Sequence, residues 1–349
     1  MAGVAAREAG TFFAIPLEHL ETETVLGFDL FLRHGRGEPV LYRGQNMEFT
    51  PAVKERLIAS GVRELLVPSD QAQAYARYRD EHGGDEQGPA PKETGLGGLS
   101  ADEQELPELL ADAAVPLEVR SNVLIGVSHA IIEAALADLG QPGLPQRIQR
   151  ISEETARYLL AEPCAFASMV DLLAVDSTTY NHMANTSLYS LELARAAGYD
   201  DLSDLSALGR AALLHDVGKA DLPVELLRRD GNLSDLEYAE LMNHTHLGVQ
   251  RLRDAGWDDP LCLDVCASHH ERCDRSGWPR GLSRDQISLP SRIVAIADTF
   301  DTLTTNHGAG FGLTGYQALW KIKREMRGQF DPELLDRFIQ VMVDPRRHR

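Results

Sequence analysis

The chain has 349 residues, of which 43% are hydrophobic, and a formal net charge of −19 at pH 7. This length suffices for two domains, and the hydrophobic fraction is that of a protein with a full core. The negative charge argues against a broad surface for duplex nucleic acid, which needs basic patches, whereas a small anionic ligand remains possible beside a metal or a local basic cluster.

The first ten residues, MAGVAAREAG, lack the cationic start and the apolar core of a secretory signal. We expect no apolar stretch that approaches the length needed to span a bilayer, and therefore no membrane insertion. The four cysteines show neither a disulfide spacing nor a zinc-ribbon spacing. These features predict a cytoplasmic protein with reduced thiols.

Residues 1–80 are predicted to form a small α/β module. The segments TETVLGFDLFLR and EPVLYRG have the β-branched and alternating pattern of strands, with the turn HGRGE between them. The next segment predicts a helix with Thr50 as N-cap, Pro51 at its first position and Gly61 at its C-terminal end, and VRELLVP predicts a short buried strand. Because the module has no catalytic constellation, we expect a role in regulation or dimerisation.

Residues 81–104 have the composition of a flexible linker, rich in glycine, proline and acidic residues. From residue 105 to residue 349 the apolar residues follow a helical period in most segments. The predicted fold class is α+β overall, with a small N-terminal α/β module followed by an all-α helical bundle.

The segment LLHDVGK places His215 and Asp216 directly after an apolar helix. Buried polar groups without partners cost several kcal/mol, so we expect other polar side chains nearby. The candidates are histidines and aspartates that end or interrupt other apolar helices: His182, His244, His246, His269, His270, Asp298 and Asp301. Neutral imidazole and carboxylate are ligands of Fe, Mn and Zn, so the set predicts a metal centre. His129 and His307 are expected to be ordinary core or surface histidines.

Several of these segments, in this order, resemble the HD-GYP branch of the HD phosphohydrolase superfamily over roughly residues 170–305. HDVGK is similar to the motif that gives the superfamily its name, and HHERCDRSGWP looks like the HHExxDGxGYP signature. TTYNHMAN is similar to the segment around the first ligand histidine, and AIADTFDTLTT resembles the stretch with the last metal-binding aspartate. HTHLG resembles the HPxxG segment, which selects His244 and leaves His246 outside the site.

HD-GYP proteins are helical-bundle phosphodiesterases that linearise cyclic di-GMP with two, sometimes three, metal ions. The resemblance implies seven metal ligands here: His182, His215, Asp216, His244, His269, His270 and Asp298. It also implies two catalytic residues, with Asp216 as the carboxylate that bridges the metals and Lys219 facing a substrate phosphate. The implied reaction is hydrolysis to the linear dinucleotide pGpG by a metal-bridging hydroxide. Fe or Mn is favoured by the family, and Zn is compatible with the ligands.

Three departures from the family pattern concern the metal count and the substrate. Thr178 stands where three-metal members have a glutamate, so we expect two divalent ions. Arg275 replaces the first glycine of the signature, which constrains the loop wherever φ is positive. NHGAGFGLTG replaces the usual Arg-Pro-Tyr-Arg segment.

Four side chains are predicted to contact the substrate: Lys219, Arg272, Arg275 and Trp278. Trp278 replaces the tyrosine of the signature and keeps an aromatic ring, which either stacks on a guanine or packs inside the protein. The charged residues of this loop have the alternative of being simply solvated.

The sequence is compatible with three functions. The first is an active cyclic di-GMP phosphodiesterase. The second is a catalytically weak or inactive sensor or scaffold, and the third is a phosphohydrolase of another nucleotide. The intact ligand set favours the first and the third. The expected partners are cyclic di-GMP and, through the N-terminal module, a second copy of the chain or a signalling protein.

Overall fold

The computed structural model describes residues 12–32, 40–43, 48–59, 62, 64–68, 71–82, 102–173, 178–227, 234–305 and 312–343. The chain divides into two compact units, Met1–Gly126 and Val127–Arg349. Most of the linker predicted at residues 81–104 lies outside the described residues, and the domain boundaries at 80 and 104 stay a prediction.

The first unit contains two antiparallel sheets. Among the described residues its strands are β1 (Phe12–Pro16), β2 (Thr24–Val25), β3 (Leu30–Leu32), β4 (Val40–Arg43), β5 (Glu48–Phe49) and β6 (Glu64–Pro68). The larger sheet has the order β1-β6-β3-β4, and β2 pairs with β5 in the smaller one. The segment predicted as one strand over residues 22–33 is therefore two strands, because the chain leaves one sheet after Val25 and enters the other at Leu30.

The helices of the first unit are α1 (Pro51–Ala59), α2 (Ala72–His82), α3 (Asp102–Ala111) and the first part of α4 (Leu117–Ala137). Helix α1 begins at Pro51 as predicted, and the hydroxyl of Thr50 accepts a hydrogen bond from the backbone N–H of Val53 at 3.4 Å. Gly61 and the HGRGE turn lie outside the described residues.

Helix α4 corrects one expectation about apolar segments. An 18-residue window of this 21-residue helix has a mean hydropathy of 1.2, so by length and composition alone the helix could cross a membrane, and 56% of that window is buried inside the protein. The expectation that no apolar stretch approaches this length is therefore wrong. The absence of membrane insertion stays a prediction.

The second unit is helical throughout its described residues apart from short turns and an isolated bridge. After the end of α4 its helices are α5 (Leu144–Ala161), α6 (Ala165–Val170), α7 (Thr179–Ala196), α8 (Leu202–Leu214), α9 (Val224–Leu227), α10 (Asp235–Met242), α11 (His244–Asp254), α12 (Pro260–Ser268), α13 (Leu289–Thr304), α14 (Gly315–Arg324) and α15 (Pro332–Val343). A small N-terminal module with strands and a helical bundle confirm the predicted α+β fold class.

Helices α7 and α8 form the centre of the second unit and pack closely on each other. The hydroxyl of Ser187 donates to the backbone carbonyl of Gly209 at 3.0 Å. A Cβ atom at Gly209 would lie 3.3 Å from the side chain of Leu191, so the glycine allows this close approach. Helix α8 begins after Asp201, whose carboxylate accepts from two backbone N–H groups, and it ends at Leu214 inside the core. The position of that end determines where His215 and Asp216 lie.

Candidate metal centre

His215 and Asp216 are completely buried at the C-terminal end of α8. The chain continues into a 3₁₀ turn, Val217–Asp221, which packs against α11. A Cβ atom at Gly218 would lie 2.0 Å from the carbonyl oxygen of His244, so only glycine permits this contact. The close approach brings the start of α11, and with it His244, to Asp216.

The carboxylate of Asp216 lies at the middle of four imidazole rings. The distances from Nε2 to the nearer carboxylate oxygen are 3.1 Å for His244, 3.6 Å for His269, 3.3 Å for His182 and 3.4 Å for His215. The ammonium group of Lys219 also contacts Oδ2 of Asp216. Asp216 thus faces histidines from α7, from the end of α12, from α11 and from its own turn.

All seven predicted ligands come together, in two groups. Within each group the potential ligand atoms lie within 4.8 Å of one another: Asp216, His244, His269 and His270 in one group, and His182, His215 and Asp298 in the other. The groups adjoin, because Oδ2 of Asp216 lies near His182 and His215, and Nδ1 of His270 lies 3.6 Å from Oδ2 of Asp298. His246 is exposed and outside both groups, as the resemblance implied.

Backbone carbonyls orient three of the histidines. The Nδ1 atoms of His215, His244 and His269 lie within hydrogen-bond distance of the carbonyl oxygens of Ala212 (2.7 Å), Leu241 (2.7 Å) and Val265 (3.1 Å), respectively. A ring that donates its Nδ1 proton to a carbonyl leaves Nε2 as a lone-pair donor. The Nε2 atoms all face Asp216, so each ring presents the nitrogen that a metal would bind.

His182 has a carboxylate as its partner instead. Its Nδ1 atom lies 2.7 Å from Oδ2 of Asp301, and the amide of Asn185 donates to Oδ1 of the same carboxylate at 2.9 Å. Asp301 lies one turn after Asp298 on α13, and the sequence drew attention to it without assigning it a role. An aspartate three residues after a predicted ligand, on the same helix face, was the signal available for it.

The charge states of Asp216, Asp298 and His269 suit metal ligands. Burial alone raises the pKa of the Asp216 carboxyl, but Lys219 and His215 outweigh it and hold this pKa well below its usual range. Burial is likewise outweighed at Asp298, mainly by the adjacent imidazole of His182, so its pKa is also well below normal. Burial lowers the pKa of His269 to about 4. At neutral pH the carboxylates are therefore ionised and His269 is neutral.

Three buried atoms show that the residues fit a cation. Nε2 of His182, Nε2 of His215 and Oδ1 of Asp216 are buried without a hydrogen-bond partner among the described residues. Buried polar atoms without partners are costly, and a bound metal ion would satisfy these three together. Imidazole nitrogen and carboxylate oxygen suit Fe, Mn and Zn. The cluster could therefore hold metal ions.

The loop after His270 is anchored by a residue that the sequence did not single out. Glu271 is 1% exposed, and its carboxylate accepts hydrogen bonds from the backbone N–H groups of Arg280 at 2.7 Å and Leu282 at 2.8 Å. The loop is thus closed onto the residue that directly follows the histidine pair. The glutamate of the signature was visible in the sequence, but its partners are backbone groups that no side-chain pattern indicates.

The predicted substrate residues of this loop differ in surroundings. The guanidinium of Arg272 donates to the carbonyls of His269 and Glu271 and to the hydroxyl of Thr299, so it stabilises the turn that carries the histidines. Arg275 has a φ of 70° and an exposed side chain. The positive φ considered at the sequence level is therefore present, with an arginine in place of glycine. Contacts of either arginine with substrate stay predictions.

Trp278 packs on the metal centre. Its ring stacks on that of His270, with centroids 4.1 Å apart, and meets the ring of His244 edge to face at 5.5 Å. Trp278 therefore packs on protein side chains, which was one of the two alternatives, and it is half-buried. Stacking on a guanine is not tested by this contact.

Comparisons with known proteins point to one family. Residues 167–334 match the family described as HD domain. A cyclic di-GMP phosphodiesterase of Pseudomonas aeruginosa is 32% identical over 206 residues, which cover 59% of this chain and 49% of the relative. A 3'3'-cGAMP-specific phosphodiesterase of Vibrio cholerae is 29% identical over 239 residues, 66% of this chain and 50% of the relative. The chain spans about half the length of these curated relatives.

Among solved structures, an HDG"Y"P protein from Bdellovibrio bacteriovorus matches with a TM-score of 0.62 at 17% identity. The match covers 95% of this chain and 99% of the other. At this identity the match shows a shared fold.

Proposed function

We propose that this chain, whose residues 167–334 match the HD domain family, is a metal-dependent phosphodiesterase that hydrolyses cyclic di-GMP to linear pGpG. The observation that carries this proposal is the convergence of seven histidines and aspartates in two adjoining groups around Asp216. The names of relatives such as the Pseudomonas aeruginosa phosphodiesterase support the choice of substrate.

We assign two divalent ions to the two groups of ligands, with Fe or Mn favoured and Zn possible. The group with His182, His215 and Asp298 would hold one ion, and the group with His244, His269 and His270 would hold the other. Asp216 would serve both, since Oδ1 faces the second group and Oδ2 faces the first. Two such ions supply a nucleophile from water at neutral pH and polarise a phosphodiester.

The protein's own groups would bind and orient the substrate. Lys219 contacts Asp216 through its ammonium group, and 22% of its side chain is exposed. This places a positive charge at the edge of the centre, where it would donate to a non-bridging phosphate oxygen and stabilise negative charge developing there. Arg275 and Trp278 lie on the loop beside the histidine pair and would contact the rest of the dinucleotide. Arg272 would act mainly by holding that loop.

A second cyclic dinucleotide is the main alternative substrate. The Vibrio cholerae relative is named for 3'3'-cGAMP, and this chain departs from the HD-GYP signature at Arg275 and Trp278. The loop residues differ from the signature while the predicted ligand set is intact. This combination favours hydrolysis of a different nucleotide over a loss of catalysis. The sensor or scaffold function has no comparable support.

The test is to incubate the metal-loaded full chain anaerobically with cyclic di-GMP and, separately, with 3'3'-cGAMP. Chromatography of the products shows whether a linear dinucleotide forms. The proposal expects pGpG from cyclic di-GMP, and no product from an Asp216→Ala variant. If only 3'3'-cGAMP is hydrolysed, it replaces cyclic di-GMP as the proposed substrate. If the protein holds two metal ions and hydrolyses neither dinucleotide, the result favours a sensor.

A further inference from the structure

His182 is held between two carboxylates that lie one helical turn apart on α13. Its Nε2 atom lies 3.1 Å from Oδ1 of Asp298, and its Nδ1 atom lies 2.7 Å from Oδ2 of Asp301. We propose that Asp301 is a positioning residue, which fixes the tautomer of His182 that presents a free Nε2 atom and thereby strengthens the metal position of His182, His215 and Asp298. This inference rests on the metal binding in the proposed function and is independent of the reaction.

Asp301 makes His182 chemically different from the histidines that backbone carbonyls orient. A carbonyl group offers a single oxygen to the ring, whereas Asp301 offers a carboxyl group whose second oxygen is held by Asn185. A hydrogen bond with an ionised partner is roughly twice as strong as a neutral one, and a carboxylate partner makes the imidazole a more basic ligand. His182 is therefore expected to bind its metal more tightly than a carbonyl-oriented ring such as His244 would.

Asp301 is itself held so that its two oxygens have separate tasks. The carboxylate is 2% exposed. Oδ1 accepts from the amide of Asn185, which lies one turn after His182 on α7, while Oδ2 faces His182 and the hydroxyl of Thr305 at 3.4 Å. Among the described residues, no lysine or arginine forms an ion pair with Asp301. The carboxyl group is thus held by Asn185, Thr305 and His182.

The two metal positions should consequently differ in affinity. The position with His182 has a carboxylate behind one of its histidines. In the other group, His244 and His269 are backed by main-chain carbonyls. Weakening Asp301 should therefore release one ion selectively, and the second ion should stay bound.

The substitution Asp301→Asn tests the inference because it keeps the shape and removes one acceptor. An amide has a single oxygen. If that oxygen accepts from Asn185, the NH₂ group faces Nδ1 of His182 and favours the tautomer with a proton on Nε2. Removal of an outer partner of this kind weakens metal binding by about 10–100-fold. We expect one Mn²⁺ to bind as in the wild type and the other about 10–100-fold more weakly.

The measurement is a calorimetric titration of the chelator-stripped full chain with Mn²⁺, together with the metal content after gel filtration. The double variant Asn185→Asp/Asp301→Asn reverses the donor and acceptor of the pair, so the oxygen at position 301 is again free to accept from His182. We expect it to recover part of the lost affinity, which a merely structural role would not produce. Asp264→Asn is the matched control, because Asp264 accepts from Ser268, Ser288 and Ser291, and among the described residues no hydrogen bond or ion pair joins its side chain to the seven predicted ligands.

Three results would overturn the inference. In the first case Asp301→Asn binds two Mn²⁺ with wild-type affinity. In a second case the metal-free variant would unfold well below the metal-free wild type, with no recovery in the double variant, which would assign a structural role. A wild type that binds no Mn²⁺ would overturn the proposed function as well. Selective loss of one ion in a protein that hydrolyses no dinucleotide would leave the inference standing and overturn only the reaction.

Discussion

Trp278 stacks on the ring of His270, with centroids 4.1 Å apart and ring planes inclined by 25°. The same indole meets His244 edge to face, so a residue of the loop after His270 covers one side of the candidate metal centre. The loop and the centre are therefore one structural unit, and changes to the loop should alter metal binding as well as substrate binding.

The first prediction concerns this stacking. Trp278→Ala should weaken Mn²⁺ binding by about 1 kcal/mol, or roughly fivefold, since an aromatic pair contributes about 0.5–1.5 kcal/mol. Trp278→Phe should retain most of the affinity because it keeps a ring against His270. Calorimetric titration with Mn²⁺ measures both, and equal affinity of the alanine variant and the wild type would show that the stacking does not support the site.

The same residue should report metal binding by fluorescence. Mn²⁺ binding should change the emission of the wild type, and Trp278→Phe should remove that change. Trp320→Phe is the control, because Trp320 is half exposed on α14 and makes no ring contact with the centre's histidines among the described residues. A change that survives in Trp278→Phe would place the responsive indole elsewhere.

The second prediction concerns Gly218 in the turn after Asp216. Gly218→Ala should lower the free energy of unfolding by several kcal/mol and reduce the metal content, because the added Cβ atom would lie 2.0 Å from the carbonyl oxygen of His244. Thermal unfolding and metal analysis measure the two effects. The atoms of the turn and of α11 that meet at this contact are backbone atoms, so no side-chain movement relieves the overlap.

Gly126→Ala is the matched control for that substitution. Gly126 is an exposed residue inside α4, and an added Cβ atom would meet nothing within 4 Å. Alanine there should stabilise the chain by about 0.5–1 kcal/mol. Similar unfolding temperatures for the two variants would refute the close contact at Gly218.

The third prediction concerns the positive φ of Arg275. A non-glycine residue in the left-handed region costs roughly 1–2 kcal/mol, part of which glycine's greater freedom in the unfolded chain offsets. Arg275→Gly should therefore raise the free energy of unfolding by about 0.5–1 kcal/mol, measured in urea. Arg275→Ala keeps the strained backbone and should give no gain in the free energy of unfolding. An equal gain in both variants would show that removal of the arginine side chain, and not relief of the backbone, causes the effect.

The two variants also test the substrate role predicted for Arg275. If the guanidinium binds a phosphate, both should raise KM for cyclic di-GMP to a similar extent. A higher KM in only one of them would assign the effect to the loop conformation.

The fourth prediction concerns an ion pair outside the centre. Asp259 begins α12 and accepts from the guanidinium of Arg210 at 2.6 Å. Burial raises the pKa of the Asp259 carboxyl, but Arg210 outweighs it, so the folded-state pKa lies below the ordinary value of 3.8. The pair therefore contributes stability above that value, and the contribution is lost as pH falls through the lower folded-state pKa.

Asp259→Asn keeps an N-cap and removes the charge. Loss of this partly exposed ion pair should lower the free energy of unfolding by about 1 kcal/mol at pH 7. The difference from the wild type should shrink below pH 4. Asp201→Asn is the control, because Asp201 caps α8 without an ion pair among the described residues. Urea unfolding at a series of pH values decides the matter, and a difference that is independent of pH would contradict the ion-pair account.

The sequence indicated the fold and the ligand groups because both depend on local patterns. Helical periodicity is local, and the seven predicted ligands lie in recognisable segments. Asp301 was not assigned a role because its partner His182 is distant in sequence. Glu271 was not assigned one because its partners are backbone N–H groups, which no side-chain pattern encodes. The strand predicted over residues 22–33 failed for the same reason, since the partners of its two halves lie in different sheets.

The central claim is that Asp216 organises a centre for two metal ions. The most direct measurement is the metal content of the purified full chain after loading with Mn²⁺, for the wild type and for Asp216→Ala, with the thermal unfolding of both. The account predicts about two ions per chain in the wild type, and loss of both metal and metal-dependent stabilisation in the variant. Unchanged metal content and unchanged thermal stability in Asp216→Ala would contradict it.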